Sequence, residues 1–308
     1  MKIVFLGTPD FAVKPLEALI NSHHEVLAVV TQPDKPVGRK AIITPCDVKV
    51  YAQSRGVKTL SYNKIRIEGI EDLKELKPDI MVTCAYGQIL SKEILDIAKH
   101  GVINIHASLL PKYRGSAPIQ WAIINGDKQT GVTIMQTDVG VDTGDILKVV
   151  TLDILENETA GELFERLSVL GAQTIVSVID DIEKGNVTPV KQDENKATHV
   201  GMLKKEDGLL DFNKPTKDLV NLIRGLNPWP VAFTTLNEKT LKVYSATPCN
   251  INGESGKVLF ADIKNGFIVG TGDGSIKINE LQLEGSKKMN ARDFLVGNKV
   301  KQGDILGR

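Results

Sequence analysis

The sequence predicts an α/β fold: a mostly parallel, Rossmann-like sheet with helices on both faces, followed by a smaller, OB-like β-barrel. Three observations predict it. Short, nearly all-apolar runs alternate with amphipathic stretches as far as residue 150, one long capped helical pattern follows, and several short β-like runs fill the C-terminal part.

The first group of strands is expected at residues 3–6, 26–31, 80–85, 102–106 and 132–136. Four of these runs are almost continuously apolar, as central strands are when helices cover both faces of a sheet. Helices are expected between them at residues 11–21, 47–54, 71–76, 92–98 and 117–124. In such a sheet the loops at the carboxyl ends of the strands form the ligand crevice.

The long helix starts at a capping box, Thr159 with Glu162. Leu163, Phe164, Leu167, Leu170, Ile175, Val178, Ile179 and Ile182 then recur at helical spacing, and Gly185 stops it. Residues 186–205 are polar and without period, which reads as a linker. A short helix near residues 217–223 precedes strands at 232–236, 241–244, 257–260, 267–269 and 276–283, with turns such as Gly272-Asp273-Gly274, the spacing of a small barrel or sandwich. The expected division is therefore a domain over residues 1–185, a linker over 186–205 and a second domain over 206–308.

Composition narrows the class. With 308 residues the chain exceeds one usual core, and 42% hydrophobic with 25% charged residues excludes disordered, collagen-like and disulfide-scaffold proteins. Its 38 basic and 38 acidic residues cancel, so no global field advertises a polyanionic partner. From Lys205 onward 15 basic residues face 12 acidic ones, an excess in the direction of nucleic-acid binding but too small to decide it. Cys46, Cys84 and Cys249 are odd in number and not spaced like metal ligands, which suggests reduced thiols. The opening run reaches the Gly7-Thr8-Pro9-Asp10 turn after four apolar residues, too soon for a signal peptide, and no later run has membrane-spanning length. A cytoplasmic, soluble monomer is expected.

The densest candidate for chemistry runs from Asn104 to Gly115. Strand alternation puts Asn104 and His106 on one face near a carboxyl end. An amide that donates to a developing oxyanion and an imidazole that handles protons near neutral pH together suit acyl or formyl transfer. The competing reading is an ordinary pair satisfying backbone groups at a strand end. A second loop, with Asp138, Asp142 and Asp145 among glycines, offers an acid suited to hold the imidazole, or is a plain turn with solvated carboxylates. It lacks the distal Glu of an EF-hand. The first turn lacks Gly-x-Gly-x-x-Gly, and Pro9 removes a donor, which disfavours a nicotinamide cofactor. His23, His24, His100 and His199 show no convergent acidic or Cys spacing, so no metal is expected. The Pro-, Gly- and Lys-rich stretch over residues 32–40 is either an arm contacting phosphate or a solvated loop.

Over nearly its full length the sequence resembles the methionyl-tRNA formyltransferase family. The resemblance rests on Phe5-Leu6-Gly7-Thr8-Pro9-Asp10-Phe11-Ala12, Thr31-Gln32-Pro33-Asp34 with Gly38-Arg39, Ala85-Tyr86-Gly87-Gln88-Ile89-Leu90 and the Asn104 to Gly115 block. It continues through Ala117-Pro118-Ile119-Gln120, Gly131-Val132-Thr133-Ile134-Met135-Gln136, Asp142-Thr143-Gly144-Asp145 and Arg224-Gly225-Leu226-Asn227-Pro228-Trp229-Pro230. It implies a formyltransferase whose co-substrate is 10-formyltetrahydrofolate and whose acceptor is initiator methionyl-tRNA. It implies that Asn104, His106 and Asp142 are the catalytic trio. By the same match Ser108, Leu109, Leu110 and Pro111 belong to the folate-binding loop, Tyr86, Gly87, Gln88, Ile89 and Leu90 wall the pterin pocket, and Lys35, Arg39 and Lys40 lie in an arm that contacts tRNA. The Asn-x-His, Ser-Leu-Leu-Pro and Asp-Thr-Gly elements also occur in transferases acting on amino sugars, which leaves an amino sugar nucleotide as an alternative acceptor. A non-catalytic tRNA-binding protein is the other alternative. One departure is that Lys40 is followed by Ala41-Ile42-Ile43-Thr44 where relatives commonly carry further cations.

Overall fold

The structure, a computed structural model, describes residues 1–38, 40–297 and 300–307. The chain forms two compact units. Unit 1 comprises Met1–Gly115, Gln129–Asp153 and Phe164–Val200, and unit 2 comprises Ser116–Lys128, Ile154–Leu163 and the chain from Gly201 on. Residues 186–200, the larger part of the expected linker, thus belong to unit 1.

Unit 1 is built on strands β1 (Lys2–Gly7), β2 (Glu25–Thr31), β3 (Lys35–Val37), β4 (Ile42–Thr44), β5 (Thr59–Ser61), β6 (Ile80–Cys84), β7 (Val102–His106), β8 (Arg114–Gly115), β9 (Gln129–Gln136), β10 (Ile146–Asp153) and β11 (His199–Val200). Seven of them form one sheet in the order β10-β9-β7-β6-β1-β2-β5. Neighbours from β7 to β5 pair in parallel, whereas β9 is antiparallel to β7 and β10 to β9. The loop between β9 and β10 is too short for the crossover a parallel pair requires.

The continuous apolar runs have the expected cause. Ile3, Val4, Phe5 and Leu6 of β1 are all fully buried, so both faces of the strand are covered. On one face Val4, Leu6, Val30 and Met81 join a cluster with Ile65 of α3 (Ile65–Glu68), Leu73 of α4 (Ile70–Leu76) and Ile94 of α5 (Lys92–Leu95), helices that follow α1 (Val13–Ile20) and α2 (Asp47–Ser54). On the other face α7 (Ala160–Glu183), which comes after α6 (Pro118–Ile124) of unit 2, brings Gly171 against Ile105 and Pro15. Its capping box forms as read: Glu162 N donates to Thr159 Oγ1 at 3.3 Å and Thr159 N donates to Glu162 Oε2 at 2.9 Å.

Six strands of unit 1 escape the sequence pattern. β10 is a half-exposed edge strand with polar residues interspersed, β5 and the β3–β4 hairpin have three residues each, and β8 pairs in parallel with β11 over two residues.

Unit 2 holds α8 (Thr216–Gly225), β12 (Ala232–Leu236), β13 (Lys239–Cys249), β14 (Val258–Asp262), β15 (Gly266–Gly270), β16 (Ser275–Leu283), β17 (Met289–Asn290) and α9 (Ala291–Gly297). The strands pair antiparallel along the path β12-β13-β16-β15-β14, with β17 on β16. Among the described residues this ladder has two ends and does not close, so the finding is an antiparallel sheet domain rather than the barrel expected. Leu219 and Ile223 of α8 and Phe294 of α9 complete its core, with Phe294 stacked on Phe267 at 5.9 Å.

Candidate active site

The carboxyl ends of β1, β2, β6 and β7 meet in unit 1. Gln32 N donates to Thr8 Oγ1 at 3.2 Å, Thr8 Oγ1 donates to Tyr86 O at 3.3 Å, and Gln32 Nε2 donates to the same carbonyl at 3.1 Å. Parallel strands lying side by side bring these loops to one edge.

Asn104 and His106 stand on the same face of β7, as alternation requires. Thr83 of β6, in register with Asn104, places Oγ1 2.9 Å from Asn104 Oδ1. The Thr83 proton is also within reach of Ile103 O at 3.2 Å, but the Asp142 carboxylate can only accept, so its Oδ1 at 3.5 Å takes Nδ2 as the donor of the amide and leaves the amide Oδ1 as the accepting end. His106 is buried. Its Nε2 lies 3.0 Å from Tyr113 O, and its Nδ1 lies 3.7 Å from Asp142 Oδ2, close enough for an ion pair and too long for a hydrogen bond.

The Asp142 carboxylate is held from outside its own loop. Gly115 N donates to Oδ2 at 2.8 Å. Asp142 itself has φ 53°, in the left-handed region that Asp tolerates better than most residues. Gly144 is required next to it, because a Cβ there would collide with Gln136 O. Of the three loop carboxylates, then, Asp142 reaches Asn104 and His106. Asp138 instead accepts from Thr143 Oγ1 at 2.6 Å and Gly140 N at 3.0 Å within the turn.

The loop from Ser108 to Pro111 is shaped from within. Ser108 is fully buried: its Oγ donates to Lys112 O at 2.6 Å and its carbonyl accepts from Thr133 Oγ1 at 2.7 Å, while Leu110 N donates to Thr133 Oγ1 at 3.2 Å. The Ser108 hydroxyl therefore frames the loop and is not turned outward. Leu110 is buried, and Leu109 and Pro111 are half-buried.

Gln88 likewise works inside the scaffold, with Nε2 donating to Tyr62 O at 2.8 Å and Oε1 accepting from Ile65 N at 2.9 Å. Gly87, at φ 81°, and Ile89 are exposed, whereas Leu90 is buried. Tyr86 is buried too, and burial pushes its phenol above the usual value. The Cys84 thiol, fully buried, is pushed up for the same reason, as expected of an inert thiol.

Of the expected arm, Lys35 and Lys40 are exposed and Arg39 lies outside the described residues. The arm is a β3–β4 hairpin, with Ile42 and Ile43 exposed beside its turn. In unit 2, Arg224 donates to Leu155 O at 3.3 Å and Glu158 O at 3.2 Å, and Asn227 to Tyr244 O at 2.8 Å. Both residues are spent on their own unit, while Trp229 is exposed.

His23 and His24, which the sequence spacing ties to no acidic residue, meet carboxylates in the fold. Residues far apart in sequence converge, with Asp180 Oδ1 3.0 Å from His23 Nε2 and 3.1 Å from His24 Nε2, and Glu183 alongside. Glu183 there already meets a cation, since the Met1 ammonium lies 3.5 Å from its Oε1 and donates to His24 Nδ1 at 3.1 Å.

Sequence reading also missed Thr83, Gln192 and Thr198. Thr83 is a polar residue in the apolar strand Ile80–Cys84, a detectable signal. Gln192 and Thr198 sit in the polar run read as linker and carry no such signal.

Comparison with known proteins places these features in context. A formyl transferase family model matches residues 1–179, and one for the formyl transferase C-terminal domain matches residues 202–299. The chain is 47% identical to a methionyl-tRNA formyltransferase of Geobacter metallireducens over 308 residues, covering 100% of this chain and 99% of that one. A solved methionyl-tRNA formyltransferase from Clostridium thermocellum aligns with TM-score 0.58 at 21% identity over 80% of this chain and 93% of its own. The sugar 3N-formyl transferase WlaRD, solved with dTDP and 5-N-formyl-THF, aligns with TM-score 0.71 at 22% identity over 93% of this chain and 99% of its own. At those identities the two structures speak for the fold.

Proposed function

We propose a reaction for a chain that belongs to the methionyl-tRNA formyltransferase family: it transfers the formyl group of 10-formyltetrahydrofolate to the α-amino group of methionine esterified to initiator tRNA. The observation that carries the catalytic part is the convergence of Asn104 and His106, from the end of strand β7, with Asp142, from the loop after β9, within 3.7 Å of one another through Asp142.

The esterified methionine has a free α-amino group with a reference pKa of about 7.7 to 8.0, so a usable fraction is neutral at physiological pH. It attacks the formyl carbon directly, and no enzyme nucleophile is needed. Attack produces a tetrahedral oxyanion. The Asn104 Nδ2 donor swings from its long contact with Asp142 onto that oxygen. A ring carrying protons on both nitrogens meets an acceptor on each side, Tyr113 O at Nε2 and Asp142 at Nδ1. The nitrogen that has attacked sheds a proton to solvent, and His106 supplies the Nδ1 proton to the folate nitrogen, directly or through water, as the bond from that nitrogen to the formyl carbon breaks and the oxyanion closes back to a carbonyl; the ring then regains its proton from water.

For the co-substrate, the Tyr86 to Leu90 segment and the internally braced Ser108 to Pro111 loop form the pocket walls. For tRNA, Lys35, Arg39 and Lys40 of the hairpin and one face of unit 2 contact phosphates. An amino sugar acceptor is the rival reading, and full-length identity of 47% to a tRNA-formylating relative outweighs a fold likeness at 22%.

The test is a transfer assay with labelled 10-formyltetrahydrofolate, offering methionylated initiator tRNA, the elongator species and an amino sugar nucleotide in parallel. Label on the initiator species alone is expected. Label on the sugar nucleotide and not on tRNA overturns the acceptor assignment.

A further inference from the structure

Residues 190–200 cross unit 1 as a strap over the two loops that carry the site. At one end Val190 and Ile146 exchange backbone hydrogen bonds of 2.8 and 2.9 Å. At the other, Arg114 N donates to Thr198 O at 2.8 Å and Tyr113 N to Thr198 Oγ1 at 2.8 Å, next to the β8–β11 pairing. Between these anchors lies Gln192. Its Nε2 donates to Asp142 O and to Gly144 O, both at 2.8 Å, and its Oε1 accepts from Arg114 Nε at 3.0 Å. Arg114 is 1% exposed and clamped by Glu194, with Nη1 to Oε2 at 2.9 Å and Nη2 to Oε1 at 2.7 Å.

The chemistry of this node selects a carboxamide. Two carbonyl oxygens on one side demand two donors from one atom, and a guanidinium on the other demands an acceptor. A carboxylate would satisfy Arg114 and repel both carbonyls. The two carbonyls flank Thr143, so fixing them fixes the plane from which the Asp142 side chain leaves. They do so where the backbone is in a left-handed conformation that costs energy to hold. Asp142 Oδ2 must stay near both Gly115 N and His106 Nδ1, and the same Arg114-Gly115 segment supplies the Gly115 donor.

We propose that Gln192 is a positioning residue for the transfer reaction, holding the 142–144 turn so that the Asp142 carboxylate faces His106 and Asn104. The proposal rests on the reading of Asn104, His106 and Asp142 given above. Gln192 touches no reacting atom. Its effect is on turnover, because a displacement of the order of 1 Å in a supporting group costs roughly a hundredfold when the geometry of the reacting groups depends on it.

The experiment compares full-length wild type, Gln192→Met, Gln192→Glu, Asp142→Asn and the Asp142→Asn/Gln192→Met double variant in formyl transfer from 10-formyltetrahydrofolate to methionylated initiator tRNA. Gln192→Met removes the donors, while Gln192→Glu keeps the size and the bond to Arg114 and supplies a second test should the methionine variant be poorly folded. Both are expected to lower kcat by roughly 10- to 100-fold with KM for each substrate within about threefold. In the Asp142→Asn background, Gln192→Met is expected to cost less than about threefold, since the group it positions is already lost. A kcat within twofold of wild type for Gln192→Glu, or the same loss from Gln192→Met in both backgrounds, overturns the positioning role while the site stands. Wild-type turnover in Asp142→Asn overturns the site itself and the proposal with it.

Discussion

The backbone N–H of Gly115 donates to Asp142 Oδ2 at 2.8 Å and ties the loop after β7 to the loop after β9. His106 ends β7 just before the first loop and Asp142 sits on the second, so this bond sets the distance between them. Gly115 meets two demands that side chains resist: its φ is 103°, and a Cβ would collide with Val200 O of the strap.

Gly115→Ala is therefore expected to displace β8 from β11 and loosen the hold on Asp142. The expected cost is about 1–3 kcal/mol of stability, as for other forced contacts in packed regions. Turnover should fall more than about tenfold, as misplacing a catalytic group does. Urea unfolding and steady-state transfer on the same preparation check both, and wild-type values in the two measurements would show the bond to be incidental.

Acid should weaken the protein through His24. Burial, first, then the Met1 ammonium and His23 lower its pKa from 6.5, against the opposing pull of Asp180 and Glu183. Because the folded pKa lies below the unfolded one, the unfolded chain binds more protons in between. The contribution to stability is then full above about pH 6.5 and is lost as pH falls toward the lowered value. Thermal midpoints from about pH 5 to 7.5 should decline toward acid in the wild type and decline less in His24→Gln. Equal slopes would place the acid sensitivity elsewhere.

Binding of tRNA through the hairpin should be salt-dependent. Each phosphate contact adds about 0.7 to 0.9 to the magnitude of the slope of log affinity against log salt, the values for single strands and for B-form duplex. Lys35→Ala and Lys40→Ala are each expected to reduce that slope by about this amount if each lysine meets a phosphate, with transfer to a small amine unchanged. Filter binding at several salt concentrations reads the slope, and identical slopes in all three proteins remove these lysines from the interface.

What was legible in the sequence follows from where the information lies. The central strands could be read because helices on both faces make them continuously apolar, as at Ile3 to Leu6, and α7 because its cap and its spacing agree. Asn104 and His106 share a face by strand alternation alone, whereas their meeting with Asp142 depends on a loop contact across 38 and 36 residues that no local pattern encodes. β10 was missed because an edge strand alternates weakly and keeps polar residues. Gln192 was missed because a polar run that straps a site and one that floats in solvent have the same composition. His24 and Asp180 were missed because the spacing that joins them is spatial. In unit 2 short alternating strands identify an antiparallel sheet but not whether it closes, since closure is a property of the pairing of its end strands.

The most direct measurement of the catalytic centre is a double-mutant cycle in kcat on Asn104→Ala and Asp142→Asn with methionylated initiator tRNA as acceptor. Asn104→Ala alone is expected to lose roughly a hundredfold to a thousandfold, as removal of one oxyanion donor does. If the two side chains act on one carbonyl carbon as a unit, the double variant loses far less than the product of the single losses. Fully multiplicative losses, or near-wild-type turnover in Asn104→Ala, would contradict a shared centre.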